Sequence, residues 1–576
     1  MASVTLAAQP SSAAASQVVV PYGDAADIVW VMVASALVFV MIPSLSLIYS
    51  GLGNRSFALT LFRLPMVTAA FIGLQWVLWG YTLTFTGSSM WWGGETRGNA
   101  LQDVLVRPVS TGDGPNGSQI PELLFLLYEA MFASFTAALV CGGTMHRARP
   151  ARFIIFISLW ALFIYDPVAR WSWSEYGWGK QFGVMDFAGG TPVHIVSGST
   201  VAAFAVFCSI ESKNSPREFF SEVVDRVKRR LGHLFKGFWS ILRILIMVFT
   251  YGSLRPPSYD MSDRELDGSQ EEDGTRPVFQ PYNVNYLVLG TSLLWFGWAG
   301  FNGGSALSAN MRAVSAWAAT HFAACAGGAT GMAWIWIWKA LPDPDNTTNS
   351  QASIDQAGEE HHSEPRQFEN LSVYFFCDGA IAGLVAITPA AGYVPIWTAV
   401  IFGVVAAIAV NLLKKETEVF LRNDPLQIFA VHAGGGLVGM ILTGIFADPV
   451  TIGLDGHSTI PNPEYSTSRR VGYQILDAVS GMAYSFTMTL VILYAMKLVA
   501  YMFMSTPWKQ AAEYDDEFQA TMDQQWRHQL DAQGRPRAPA FQRPRPQQAV
   551  IPMQPFPPPP DLPVIPSPEL QPVNTI

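Results

Sequence analysis

Residues 186–199 read DFAGGTPVHIVSGS, an aspartate and a histidine eight positions apart at the mouth of an apolar run. Residues 424–436, DPLQIFAVHAGGG, repeat the offset, with Asp424 eight positions before His432 as Asp186 is before His194. An ionisable side chain at membrane depth costs roughly 2–3 kcal/mol or more and usually faces a polar path or a partner. A lone histidine there reads equally well as a neutral imidazole bonded within a helix bundle. Two at matching offsets ask for a common reason.

The rest of the chain identifies the solvent as lipid. Of 576 residues, 50% are hydrophobic and only 14% charged, with 19 Trp and 36 Phe, which excludes an ordinary soluble domain. Apolar runs long enough for a ~30 Å hydrocarbon core recur at 28–49, 64–85, 123–145, 153–169, 192–210 and 286–307. Five more follow at 313–338, 373–393, 394–413, 425–446 and 473–500. The expectation is an all-α polytopic membrane protein of about eleven transmembrane helices. All four cysteines (Cys141, Cys208, Cys325, Cys377) fall in or beside these runs and read as packed thiols.

His194 and His432 belong to the fifth and tenth runs, which by parity cross in opposite directions. At 1.5 Å per residue, a helix starting at each aspartate places its histidine ~12 Å in, so the two come within roughly 6 Å of the same depth. Two five-helix halves carrying corresponding residues in opposite senses are an inverted repeat, helices 1–5 against 6–10, with a site expected at the midplane. Asp186 and Asp424 read first as helix-start carboxylates, structural and electrostatic in role, and second as attractors of cations. The clusters Gly189–Gly190 and Gly434–Gly436 read as close-packing devices.

Arginine and lysine are concentrated in alternate connections, above all in 213–243. With the first helix running inward, the bias puts the N-terminus outside and, after eleven spans, the C-terminus in the cytosol. Three segments stand apart from the membrane domain at 27–500: a disordered N-terminal tail (1–26), a cytosolic insertion (211–284) and a cytosolic Pro-rich tail (501–576). Within the insertion, 231–251 is apolar but broken by Lys236 and Arg243, which favours a helix on the inner membrane face over a span. The sequon at Asn116 then lies outside, and those at Asn346 and Asn370 inside. The Pro-rich tail is a candidate docking arm for a cytosolic partner.

Four stretches in order resemble the ammonium transporter family, the Amt/Mep/Rh group in its fungal-type branch: DFAGGTPVHIVSG, LLWFGWAGFNGGSALSAN (293–310), CDGAIAGLVAITPAAGYV (377–394) and DPLQIFAVHAGGG. The resemblance implies eleven helices with a pseudo-twofold, a homotrimer with one pore per subunit, and a plasma-membrane location. It carries the family's paired pore histidines onto His194 and His432. The stacked gate falls on Phe132, in YEAMFASFT, and Phe301, and the ammonium-recruiting site on Trp173 and Ser305, with Trp171 and Trp178 close to Trp173 in the sequence. By composition alone each of these aromatics is core packing.

Some positions depart from the family pattern. Glu129 stands where glutamine is common and is a candidate modulator, Gln427 and Asn423 replace aspartates, and the tail lacks the usual glycine-aspartate motif. His321 has no family pore role. The function implied is transport of ammonium, with methylammonium a candidate second substrate and the bilayer and sister subunits as partners. The alternative is an ammonium-sensing receptor with little or no transport. No HExxH, nucleophile-elbow or Walker pattern lies in the expected inner loops, so neither an enzyme nor a metal, cofactor or nucleic-acid partner is expected.

Overall fold

Lipid offers no hydrogen bonds, so apolar runs of this length close their backbone bonds internally as helices. The computed structural model describes residues 24–53, 58–94, 108–110, 119–144, 150–213, 283–340, 365–421 and 424–503. All of them lie in one compact unit, Met1–Asp260 with Pro277–Ser505. Most of the 1–26 tail, most of the 211–284 insertion with its 231–251 run, nearly all of the 501–576 tail, and the sequons at Asn116 and Asn346 fall outside the described residues.

Each of the eleven apolar runs is helical. In chain order they are α1 (Ala25–Leu52), α2 (Ala58–Phe85), α3 (Glu122–Thr144), α4 (residues 150–173), α5 (Gly190–Glu211) and α6 (Val284–Gly304). The second group is α7 (Met311–Ala340), α8 (Pro365–Ile387), α9 (Thr398–Phe420), α10 (Phe429–Phe446) and α11 (Thr467–Phe503). Among the described residues, eight helices are long and apolar enough to cross a membrane, with shorter apolar helices at Val373–Ile387 and Thr398–Lys414. Among the described residues the strands are a short antiparallel pair, β1 (Pro108–Ser110) with β2 (Gln119–Pro121).

Helices α1–α5 and α6–α10 are the two halves of the inverted repeat. Their first members, α1 and α6, pack along each other, and small residues allow it: a Cβ on Gly297 would stand 2.7 Å from the Leu37 carbonyl. In the second half α7 and α8 touch backbone to backbone at Gly327 and Gly379. Close approach of this kind is how membrane helices gain packing where lipid supplies no hydrophobic drive. Helix α11 lies against α5 and α10. Trp76, Trp160, Trp298 and Arg170 are fully buried, whereas Leu59, Leu74, Val314 and Leu498 keep more than half their surface exposed, as a lipid-facing surface requires.

Several boundaries differ from the sequence reading. The eighth run does not continue as helix to 393; α8 stops at Ile387, and turns carry the chain from Thr388, past Pro389 and Pro395, to α9 at Thr398. Proline removes a backbone donor and biases the residue before it away from the helical region, which explains the break. The fourth run extends beyond both of its expected ends, to 150 and 173. The four cysteines are free thiols, with Cys141 against the Thr68 hydroxyl at 3.4 Å.

Candidate functional site

Neither α5 nor α10 starts at its aspartate. The first helical residue is Gly190 rather than Asp186, and Phe429 lies at the corresponding start rather than Asp424. The histidines therefore sit within the first turns and not ~12 Å along a helix. Asp186 explains the delay: its carboxylate accepts from the N–H groups of Gly189 (2.8 Å), Gly190 (2.7 Å) and Thr191 (2.8 Å). Asp424 likewise accepts from Ile428 (3.0 Å) and Phe429 (2.9 Å). A side chain that reaches forward over the end of a helix has to stand before it. The chain turns into each helix through a left-handed residue, Gly189 (φ 110°) and Gln427 (φ 55°).

Both first turns are π-helical, Gly190–Ile195 and Phe429–Gly434, and each holds its histidine. A π-turn widens the helix locally and re-aims the side chains on it. His194 and His432 are buried and meet with Nδ1 atoms 3.2 Å apart and ring centroids 5.2 Å apart. At that separation the two nitrogens share one proton, so one ring donates and the other accepts. Nε2 of His194 is buried with no hydrogen-bond partner among the described residues. Gly436 permits the approach of the two helices, since a Cβ there would lie 2.9 Å from the Gly190 carbonyl.

Aromatic rings continue the line from His194. Its ring stacks with Trp298 at 5.4 Å and with Phe301 at 6.3 Å; Phe301 stacks on Phe132 at 4.2 Å, and Trp173 meets Phe132 edge-on at 5.9 Å. Trp173 is fixed by its indole N–H, which donates to the Asp186 carbonyl at 3.1 Å. Trp171 packs instead against Trp91, Trp178 and Tyr484, so of the neighbouring tryptophans it is Trp173 that reaches the column. The Ser305 hydroxyl donates to the Phe301 carbonyl at 2.8 Å. Trp173, Phe132, Phe301, His194 and His432 thus form one file, with Ser305 beside it.

Sequence reasoning missed Tyr128 and Trp298. The Tyr128 hydroxyl reaches the carbonyls of Gly300 and Phe301, each at 2.9 Å, and lies 3.3 Å from Ser305 Oγ, while its ring stands edge-on to Phe132 at 4.9 Å. The available signal was helical spacing, four residues before Phe132 for Tyr128 and three before Phe301 for Trp298. Glu129, one residue past Tyr128, is turned about 100° around α3 from it. Its side chain is buried within the helix bundle. His321 lies on an exposed part of α7, its ring 5.4 Å from that of Trp295 and 5.6 Å from that of Phe322.

At the Trp173 end, Arg312 ties the surrounding loops together. It donates to the Gly392 carbonyl (3.0 Å), to Asp455 (3.0 Å) and to Ser458 (2.9 Å), and its guanidinium lies over Phe187 and Tyr393. Burial alone would raise the Asp455 carboxyl, but Ser458, the His457 N–H and Arg312 outweigh it and hold it below the ordinary carboxylate range. Elsewhere Lys414 forms a buried ion pair with Asp378, near the Tyr374 ring.

The family model described as Ammonium Transporter Family matches residues 29–222, 267–352 and 364–522. Schizosaccharomyces pombe ammonium transporter 1 is 35% identical over 478 residues, 82% of this chain and 77% of the relative. Saccharomyces cerevisiae ammonium transporter MEP2 is 32% identical, over 83% of this chain and 79% of its own. The crystal structure of Candida albicans Mep2 aligns with a TM-score of 0.61 at 32% identity, covering 83% of this chain and 86% of that one. With the family model matching most of its length, and a ring column and histidine pair at the crossing of its two halves, this chain belongs to the ammonium transporter family.

Proposed function

We propose that the protein moves ammonium across the plasma membrane, recruiting the cation at Trp173 and Ser305 and passing ammonia through the apolar column to the histidine pair. The carrying observation is the unbroken file from Trp173 through Phe132 and Phe301 to His194 and His432. Ser305 spends its proton on the Phe301 carbonyl, so with the Tyr128 hydroxyl 3.3 Å away its oxygen keeps a lone pair to accept from a cation. An aromatic face adds about 0.5–2 kcal/mol per cation contact. Ammonium can donate hydrogen bonds to such a site, whereas potassium loses its hydration and gains less.

The Phe132–Phe301 stack is apolar and closed, and an intact charge there is costly while neutral ammonia is not. The cation therefore gives its proton to solvent water at the recruiting end, and neutral ammonia enters the stack. The paired histidines supply a protonatable step beyond the gate, their Nδ1 atoms sharing one proton. Asp186 and Asp424 hold the two π-turns in register and add negative potential near the pair.

The cation bias of the connections supports an extracellular N-terminus and a cytosolic C-terminus. A homotrimer with one pore per subunit, the insertion and tail as cytosolic arms, and a partner for the Pro-rich tail complete the reading. Methylammonium is the expected surrogate substrate. Growth rescue of a cell lacking ammonium uptake, on limiting ammonium, tests the function: wild type restores growth. Binding and signalling without growth or labelled methylammonium uptake would identify a sensor instead.

A further inference from the structure

Helix α11 belongs to neither half of the repeat, and the ring column is built without it. It nevertheless carries a glutamine, Gln474, buried against the segment that leads into α5. Gln474 Oε1 accepts from the Met185 N–H at 2.8 Å, and Gln474 Nε2 donates to the Met185 carbonyl at 2.7 Å. The side-chain amide thus pairs with Met185 as one peptide group pairs with another in a β-ladder. Nε2 also lies 3.4 Å from the Met440 carbonyl of α10. Gly444 of α10 makes room for the glutamine, since a Cβ there would lie 3.1 Å from Gln474 Cγ.

Residues 184–187 are neither helix nor strand, so their backbone groups depend on tertiary partners. Met185 has Gln474 for both of its groups, and the Phe187 N–H donates to the Pro389 carbonyl at 3.0 Å. Because a peptide group is planar, these bonds orient the two planes that meet at the Asp186 Cα. One of those planes carries the Asp186 carbonyl, which accepts from the Trp173 indole N–H at 3.1 Å. Trp173 is the last helical residue of α4, with Ser174 already extended, so no following turn braces its ring. The ring is held by the bond to Asp186 and by its edge contact with Phe132 at 5.9 Å.

We propose that Gln474 is a positioning residue for Trp173. By clamping Met185 from α11 it fixes the Asp186 carbonyl, and through that carbonyl the ring at the recruiting end of the column. Its effect on ammonium affinity rests on the recruitment reading above; its hold on the ring does not. A glutamine that served stability alone would lower the melting midpoint when removed and leave the half-saturation of uptake unchanged.

Saturation curves for labelled methylammonium uptake at matched surface expression test this, together with fluorine NMR of the full-length protein carrying fluorotryptophan in lipid nanodiscs. The Trp173 resonance is the one that Trp173→Phe removes. Gln474→Met, similar in volume but without an amide, is expected to raise half-saturation roughly three- to tenfold with the maximal rate per surface copy kept. It is also expected to shift the Trp173 resonance. On a Trp173→Phe background, which has no indole N–H to place, Gln474→Met should change half-saturation by less than about twofold. An unshifted Trp173 resonance in Gln474→Met overturns the proposal. So does an unchanged half-saturation in that variant where Trp173→Phe raises it, or a full additional effect on the Trp173→Phe background. A shifted resonance with half-saturation unchanged in both single variants, or with no uptake even in wild type, faults the recruitment or transport reading and sustains the hold on the ring. Gln474→Asn, one methylene too short to close both bonds, replaces Gln474→Met if that variant fails to reach the surface. Loss of both from the surface makes Gln474 a folding residue and overturns the proposal.

Discussion

At the scale of single residues, His194 and His432 are expected to act as one unit, because their Nδ1 atoms stand 3.2 Å apart. Alanine at either position is expected to abolish or decouple transport while the protein still reaches the membrane. The double variant should be little worse than the worse single one, since groups in direct contact are not additive. Labelled uptake and current, measured together, check both points. This pair was legible in the sequence through the equal offsets from Asp186 and Asp424, which survive without any knowledge of packing. The stacked phenylalanines were legible only by resemblance, because an apolar helix offers many equivalent aromatics. Tyr128 and Trp298 escaped for the same reason: helical spacing puts them beside Phe132 and Phe301 but cannot say which helix faces which.

At the scale of elements, the count of helices follows from run length, whereas their ends follow from capping that composition does not encode. Gly189 shows why. Its φ of 110° turns the chain into the π-turn, and a Cβ there would lie 2.5 Å from Val193 Cγ2 and 3.1 Å from the Trp173 ring. Gly189→Ala is therefore expected to cost about 1–3 kcal/mol and to weaken ammonium recruitment, read as a lower melting midpoint and a raised half-saturation for uptake. No sequence period marks a π-turn, so these remained invisible. The Arg312–Asp455 tie makes a second prediction. Asp455→Asn should lower stability by about 1–3 kcal/mol at neutral pH. Because Asp455 is held below its ordinary range, its contribution is complete above the unfolded value of about 3.9 and is lost as pH falls through the folded one. Melting midpoints of wild type and variant should then converge in acid and stay apart at neutral pH.

At the scale of the molecule, the inverted repeat was legible from parity, since the fifth and tenth helices of an odd-numbered set of crossings run oppositely and bring equal offsets to one depth. Which side faces the cytosol rests on the arginine and lysine bias. A tag after Asp273 and another at the C-terminus should both be protected from external protease in intact cells; digestion of the Asp273 tag would mean that 231–251 spans. Assembly as a homotrimer rests on the resemblance alone, because a lipid-facing and a subunit-facing helix carry the same apolar residues. The central claim is that ammonia passes an apolar column and meets a proton-sharing histidine pair. It is tested most directly by labelled methylammonium uptake and membrane current, recorded together for wild type and His194→Ala at matched surface expression. Wild type should show saturable uptake, with flux and current in a fixed ratio, and the variant should lose uptake or change that ratio. Wild-type flux, selectivity and current in the variant would contradict the account and leave the two histidines as packing alone.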